Sequence, residues 1–182
     1  YSVRLDGSDL RRLTFGPYTH NVRLSPGGSF FVTTYSNFAT PPCMALVNEA
    51  GEVVRELGDS RTPVLSEYRI APTELMHIPV GDGFEVPALL TLPPDTLPGT
   101  RYPVIISVYG GPSSPSVSDS WRLAAGDQGR AYAGLIQMTV DHRGSGHFGK
   151  EVDSLMHRNL GKWEMHDYIE VVKWLRRQPY VD

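Results

Sequence analysis

Alternation of apolar and polar side chains dominates the first third of the chain, and helical spacing appears towards its end. Residues 1–5, Tyr-Ser-Val-Arg-Leu, alternate and run into Asp6-Gly7, so a strand is expected there. Val22 and Leu24 lead into Ser25-Pro26-Gly27-Gly28, a turn in which Pro presets φ and Gly accepts a positive one. Residues 30–35 are aromatic and β-branched, 44–47 are apolar, and 52–57 contain Val53 and Val54 after the turn 48–51. Short strands punctuated by turns predict an antiparallel meander. The strand, Ser-Pro-Gly-Gly turn and second strand also fit the hairpin of a propeller blade, which needs neighbours to bury its faces. A small meander of another kind remains the alternative.

The pattern changes after residue 58. Residues 59–71, with Pro63, read as a connector in which 65–70 could form a short helix. Residues 75–80 and 84–92 predict a hairpin across Gly81-Asp82-Gly83. Residues 103–109, Pro-Val-Ile-Ile-Ser-Val-Tyr, are nearly continuous in apolar character, as in strands buried on both faces. A helix is expected over 121–132 and a second buried strand over 135–140. A short helix is expected over 151–159. A longer one is expected over 163–177, where Tyr168, Val171, Val172 and Leu175 fall at helical spacing. Alternating strands and helices predict a mostly parallel sheet with flanking helices, hence an α/β fold.

Composition narrows the choices. Hydrophobic residues make up 40% and charged residues 20%, a globular balance. A net charge of −3 without a Lys/Arg cluster argues against a nucleic-acid partner. Cys43 is the one cysteine, so neither an internal disulfide nor a Cys-rich metal site is expected. There is no apolar run long enough for a transmembrane segment. The chain starts at Tyr1 inside strand-like sequence, so its N-terminus reads as cut.

Candidate chemistry centres on Tyr109-Gly110-Gly111-Pro112, just past a strand end, where open α/β sheets place ligands. In α/β-hydrolases the loop after the third strand contributes a donor to the oxyanion hole, and two glycines let backbone approach a substrate. A structural turn explains the same string equally well. A Gly-x-Ser-x-Gly elbow does not occur. Ser145 lacks the outer glycines, because Arg143 and His147 stand in their places. His142 and His147 share the polar loop 141–147, but neither a His-Glu-x-x-His motif nor a cysteine pair supports a metal. Asp141 and Arg143 read as residues that hold that loop by ion pairs or backbone hydrogen bonds. His166 and Asp167 are helical neighbours and are not expected to face each other. Trp163 and Trp174 read as core.

Three blocks in order, Tyr-Pro-Val-Ile-Ile-Ser-Val-Tyr-Gly-Gly-Pro (102–112), Asp-His-Arg-Gly-Ser-Gly (141–146) and Leu-Gly-Lys-Trp-Glu-Met-His-Asp-Tyr-Ile-Glu (160–170), resemble the prolyl oligopeptidase superfamily of serine peptidases. The branch resembled is the dipeptidyl peptidase IV family. Upstream, Thr-His-x-Val-x-Leu-Ser-Pro-Gly-Gly and Tyr-Ser-Asn-Phe-Ala-Thr-Pro-Pro resemble its last propeller blade. The resemblance implies three regions. Residues 1–58 would be the end of a β-propeller, with the last blade and the edge of the preceding one. Residues 59–71 would be a connector, and 72–182 the first part of an α/β-hydrolase domain that stops before the nucleophile elbow. It implies that the Tyr109 hydroxyl completes an oxyanion hole, with Gly110 and Gly111 in the substrate-facing loop. The catalytic Ser, Asp and His, and the paired glutamates that grip a substrate's amino terminus, would lie outside these residues. The implied activity is removal of dipeptides from peptides with a free N-terminus, often after proline, with no cofactor and no metal. A homodimeric parent in a periplasmic, secreted or cell-surface location is compatible with it. An acylaminoacyl-peptidase or oligopeptidase of the same superfamily, or a non-catalytic binding protein that has lost the serine, remain alternatives.

Overall fold

The structure is a computed structural model that describes residues 1–123 and 125–182. The chain divides into two compact units, residues 1–68 with 119–122, and residues 69–118 with 123–182.

The first unit is a four-stranded antiparallel sheet in sequence order, β1 (Thr19–Leu24), β2 (Phe30–Asn37), β3 (Thr40–Asn48) and β4 (Val53–Asp59). The Ser25 turn joins β1 to β2, with Gly28 at φ +73° donating its N–H to the Ser25 carbonyl at 3.0 Å. Period-two alternation sets the faces: Phe31 and Thr33 of β2 are buried with Cys43, Ala45 and Val47 of β3. Their partners on the outer strands are mostly exposed. The strand expected over 1–5 does not form. Ser2 makes an isolated bridge to Arg11, and alternation without a neighbouring strand cannot build a ladder. Residues 63–67 form a 3₁₀ turn rather than the helix expected over 65–70.

The second unit carries a sheet ordered β5-β6-β8-β7, made of β5 (Thr73–Pro79), β6 (Glu85–Thr91), β8 (Ile136–Val140) and β7 (Val104–Ser107). The expectation of a mostly parallel sheet is corrected here. β5–β6 and β6–β8 are antiparallel and β7–β8 is parallel. The short 80–84 turn forces β5 and β6 into a hairpin, whereas α1 (Ala125–Tyr132) lies in the crossover between β7 and β8. A single parallel bridge, Tyr102↔Val181, touches the start of β7 on its other edge.

The core joins Ile78, Val86, Ala88, Leu90, Ile136, Met138 and Val140 of the sheet to Val171 and Leu175 of α3 (Trp163–Leu175). β8 is almost wholly buried, as its apolar run predicts. β7 is not: Val104 and Ile106 pack inwards, while Ile105 is 38% exposed. One face of β7 packs on the core and the other is open. The helix expected over 121–132 begins later. Ala124 lies outside the described residues, and the Trp121 N–H donates to Ser36 Oγ at 3.2 Å instead of entering a helix. Residues 149–156 form α2 (Gly149–Asp153) and a 3₁₀ turn, Ser154–Met156. Among the described residues, no helix is long and apolar enough to cross a membrane.

Candidate functional site

β7 ends at Ser107, and its chain continues as an irregular loop that places Tyr109 67% exposed. Gly110 follows at φ +79°, a backbone conformation that costs glycine little. The Tyr109 ring folds over Gly111 so closely that a Cβ there would stand 2.5 Å from Tyr109 Cε1. The three residues singled out from sequence therefore form one local unit, with the ring resting on the second glycine and the side chain open to solvent. Ser113 turns the chain at φ +51°, and its Oγ donates to Asp153 Oδ2 at 2.9 Å.

The loop after β8 lies beside it, with residues 141–145 buried. Asp141, 2% exposed, accepts the backbone N–H groups of Ser116 (2.8 Å) and Val117 (2.7 Å), and its Oδ2 lies 2.8 Å from His147 Nε2. Those bonds hold the Ser-rich stretch that leaves the Tyr109 loop. The Ser113 N–H donates to the Gly144 carbonyl at 2.8 Å. His142 is fully buried. Its Nδ1 accepts the Gly144 N–H at 3.1 Å, which leaves the proton on Nε2, 3.2 Å from the Gly111 carbonyl. Both His142 nitrogens are therefore engaged by backbone, and His147 faces a carboxylate.

Arg143 anchors this second loop from below. It is 2% exposed, and its guanidinium meets the Asp167 carboxylate through Nε (3.1 Å) and Nη2 (2.6 Å) and Asp82 through Nη1 (2.7 Å). The Arg143 N–H donates to Asp167 Oδ2 at 2.9 Å, so one carboxylate holds both the backbone and the side chain. The guanidinium carbon also lies 4.6 Å from the Phe84 ring centre and 4.5 Å from that of Trp163. Burial alone would lower the Arg143 pKa, but the Asp167 and Asp82 carboxylates outweigh it and raise it. In return, the hydrogen bond from Arg143 holds the Asp82 carboxyl below its usual range. Asp141 and Arg143 thus hold the loop, as their residue types suggest.

One expectation fails here. His166 Nδ1 lies 3.1 Å from Asp167 Oδ1 and 3.3 Å from Arg143 Nη2. Adjacent helical side chains meet because both converge on the buried guanidinium. Ser145 is 2% exposed. Trp163 is half-buried against Arg143, and Trp174 packs at the edge of the core. Sequence reasoning missed Tyr168 as a site neighbour. Its ring meets His142 edge-on, with centres 5.8 Å apart, and burial pushes its hydroxyl up to about 12. That hydroxyl is enclosed, with the Gly110 backbone as its hydrogen-bonding neighbour.

An exposed tyrosine and a glycine pair thus lie beyond the C-terminal end of a sheet strand, braced by a second loop. The prolyl oligopeptidase family matches residues 121–182. Probable dipeptidyl-aminopeptidase B of Aspergillus oryzae is 33% identical over all of this chain, which covers 21% of that protein. The protein of the same name from Penicillium rubens is 34% identical, again over all of this chain and 21% of its own length. The crystal structure of Porphyromonas gingivalis dipeptidyl peptidase 4 superposes with a TM-score of 0.90 and 28% identity, covering 99% of this chain and 26% of that one. The chain belongs to the prolyl oligopeptidase family, with its dipeptidyl peptidase IV-like members. It spans about a fifth of the length of the curated relatives it matches.

Proposed function

We propose that this chain is the oxyanion-loop portion of a serine dipeptidyl peptidase. The observation that carries the reading is the Tyr109 loop: an exposed phenol on a glycine-paired turn, held by hydrogen bonds to a buried neighbour. In the reaction proposed for the whole protein, a serine hydroxyl adds to the scissile carbonyl and passes its proton to a histidine. The carbonyl oxygen becomes an oxyanion, and the Tyr109 hydroxyl donates a hydrogen bond to it. The tetrahedral intermediate collapses, the histidine proton goes to the leaving amine, and water later releases the acyl group as the N-terminal dipeptide. The Gly110–Gly111 backbone gives the substrate room. The serine of this scheme is not among the 182 residues, which contain no Gly-x-Ser-x-Gly elbow.

The antiparallel sheet of the first unit supports its reading as the terminal blade of a β-propeller over 1–58. Residues 59–71 then serve as connector and 72–182 as the start of the hydrolase domain. Substrates are peptides with a free N-terminus. The full-length protein should release p-nitroaniline from Gly-Pro-p-nitroanilide, leave the N-acetylated analogue intact, and be labelled by a fluorophosphonate. Preferred cleavage of the acetylated substrate would replace the dipeptidyl reading by an acylaminoacyl-peptidase. No labelling and no turnover would replace it by a non-catalytic protein.

A further inference from the structure

The ladder that fixes β7 ends at the Ser107↔Thr139 pair, and the next backbone anchor on the neighbouring loop is the Ser113 N–H on the Gly144 carbonyl. Tyr109 lies on the span between. That span contains Gly110 at positive φ, so its own backbone preferences restrain it weakly. The His142 ring reaches into this gap. Nδ1 takes the Gly144 N–H, and the Nε2–H group points at the Gly111 carbonyl, so one imidazole ties both loops together. The ring is itself well fixed. It is fully buried, packs edge-on against Tyr168, and sits between Asp141 and Arg143, each buried and hydrogen-bonded. The Tyr109 ring rests on Gly111 with no room for a Cβ, so a shift of the Gly111 peptide is passed directly to the phenol.

We propose that His142 is a positioning residue of the oxyanion loop: by donating from Nε2 to the Gly111 carbonyl while accepting the Gly144 N–H at Nδ1, it sets where the Tyr109 hydroxyl stands. This rests on the reading of Tyr109 as the oxyanion donor. The histidine touches neither substrate nor reacting atoms. Its effect falls on kcat, because a donor displaced from the oxyanion weakens the transition state more than the bound substrate.

Two substitutions separate the halves of the brace. His142→Gln keeps a donor at the reach of Nε2 and gives up the acceptor for Gly144. His142→Asn keeps an acceptor at the position of Nδ1 and gives up the donor to Gly111. Each leaves one backbone group unmet, so comparable losses in melting temperature are expected. In the full-length enzyme, kcat on Gly-Pro-p-nitroanilide should fall ~10- to 100-fold in His142→Asn, with KM nearly unchanged, and recover most of that in His142→Gln. Placing His142→Asn in a Tyr109→Phe background should add little further loss, because the hydroxyl being positioned is gone.

Equal kcat in the Gln and Asn variants, or full additivity with Tyr109→Phe, would overturn the proposal while leaving the oxyanion role intact. A Tyr109→Phe enzyme with unchanged kcat would instead remove the underlying reading. Without any variant, nitrogen-labelled histidine spectra should show His142 as the Nε2–H tautomer at neutral pH. The Nδ1–H tautomer would overturn the brace.

Discussion

The loop after β7 and the loop after β8 leave neighbouring ends of one parallel pair, yet they meet solvent very differently. Tyr109 on the first is 67% exposed, whereas His142 and Arg143 on the second are 0% and 2% exposed. The first loop presents a hydroxyl and a glycine pair. The second presents almost nothing outwards and spends its polar groups on backbone N–H groups, one carbonyl and two carboxylates. Their difference separates two kinds of work that a polar loop can do. Polar residues clustered after a strand can do chemistry, or they can hold still the residue that does. The buried loop belongs to the second kind, so substitutions there should register first as lost stability and those at Tyr109 as lost rate.

Asp167→Ala tests that division hardest. It leaves the buried Arg143 guanidinium and the Arg143 N–H without their main partner, a situation that typically costs about 3–5 kcal/mol. Urea unfolding followed by Trp163 fluorescence should show the loss. A change under about 1 kcal/mol would mean that the loop is held otherwise. Gly144→Ala is the next largest. A Cβ there would stand 2.5 Å from Cγ of Met156, which is 4% exposed, and overpacking of this kind costs about 1–3 kcal/mol. The same unfolding measurement should find it, and a neutral outcome would show that Met156 can step aside.

The smallest effect concerns pH. Arg143 holds the Asp82 carboxyl below its usual range, so folding depresses that pKa. The stabilisation is complete above the ordinary carboxylate value of about 4 and is lost as pH falls through the lowered folded value. Asp82 is 36% exposed, so the contribution is expected near ~1 kcal/mol or less. Asp82→Asn should flatten the loss of stability between about pH 5 and pH 2. An unchanged slope would assign acid sensitivity elsewhere.

Much of the fold was legible because period and turn chemistry are local. β1 to β4 follow from alternation and from turns such as Ser25-Pro26-Gly27-Gly28. The apolar run of β8 marks it as central. The similar run of β7 misleads, since only one of its faces is covered, and Ile105 has the same side chain whether covered or not. The hairpin β5–β6 was legible from its Gly81-Asp82-Gly83 turn, but the antiparallel pairing of β6 with β8 was not, because the strand–helix alternation reads as parallel.

At the site, the residue proposed as oxyanion donor was easier to single out than its supports. Tyr-Gly-Gly-Pro after a strand is a visible string. The inward stripe of α3 is Glu164, Asp167, Val171 and Leu175, charged at one end, so a hydrophobic pattern sees only half of it. Asp167 is buried because Arg143 awaits it from a distant loop, and the same guanidinium draws His166 against its helical neighbour. Such pairings depend on tertiary contact and leave no local signal.

Tyr109 is proposed to act on the transition state and not on the fold. The most direct measurement compares Tyr109→Phe with the parent in the full-length enzyme, by kcat, KM and melting temperature on one preparation. A fall in kcat of ~100-fold or more is expected, with KM and melting temperature nearly unchanged, since the phenol is exposed and removing one oxyanion donor costs about 3 kcal/mol. A kcat within about threefold of the parent, too small a change for a lost oxyanion donor, would contradict it.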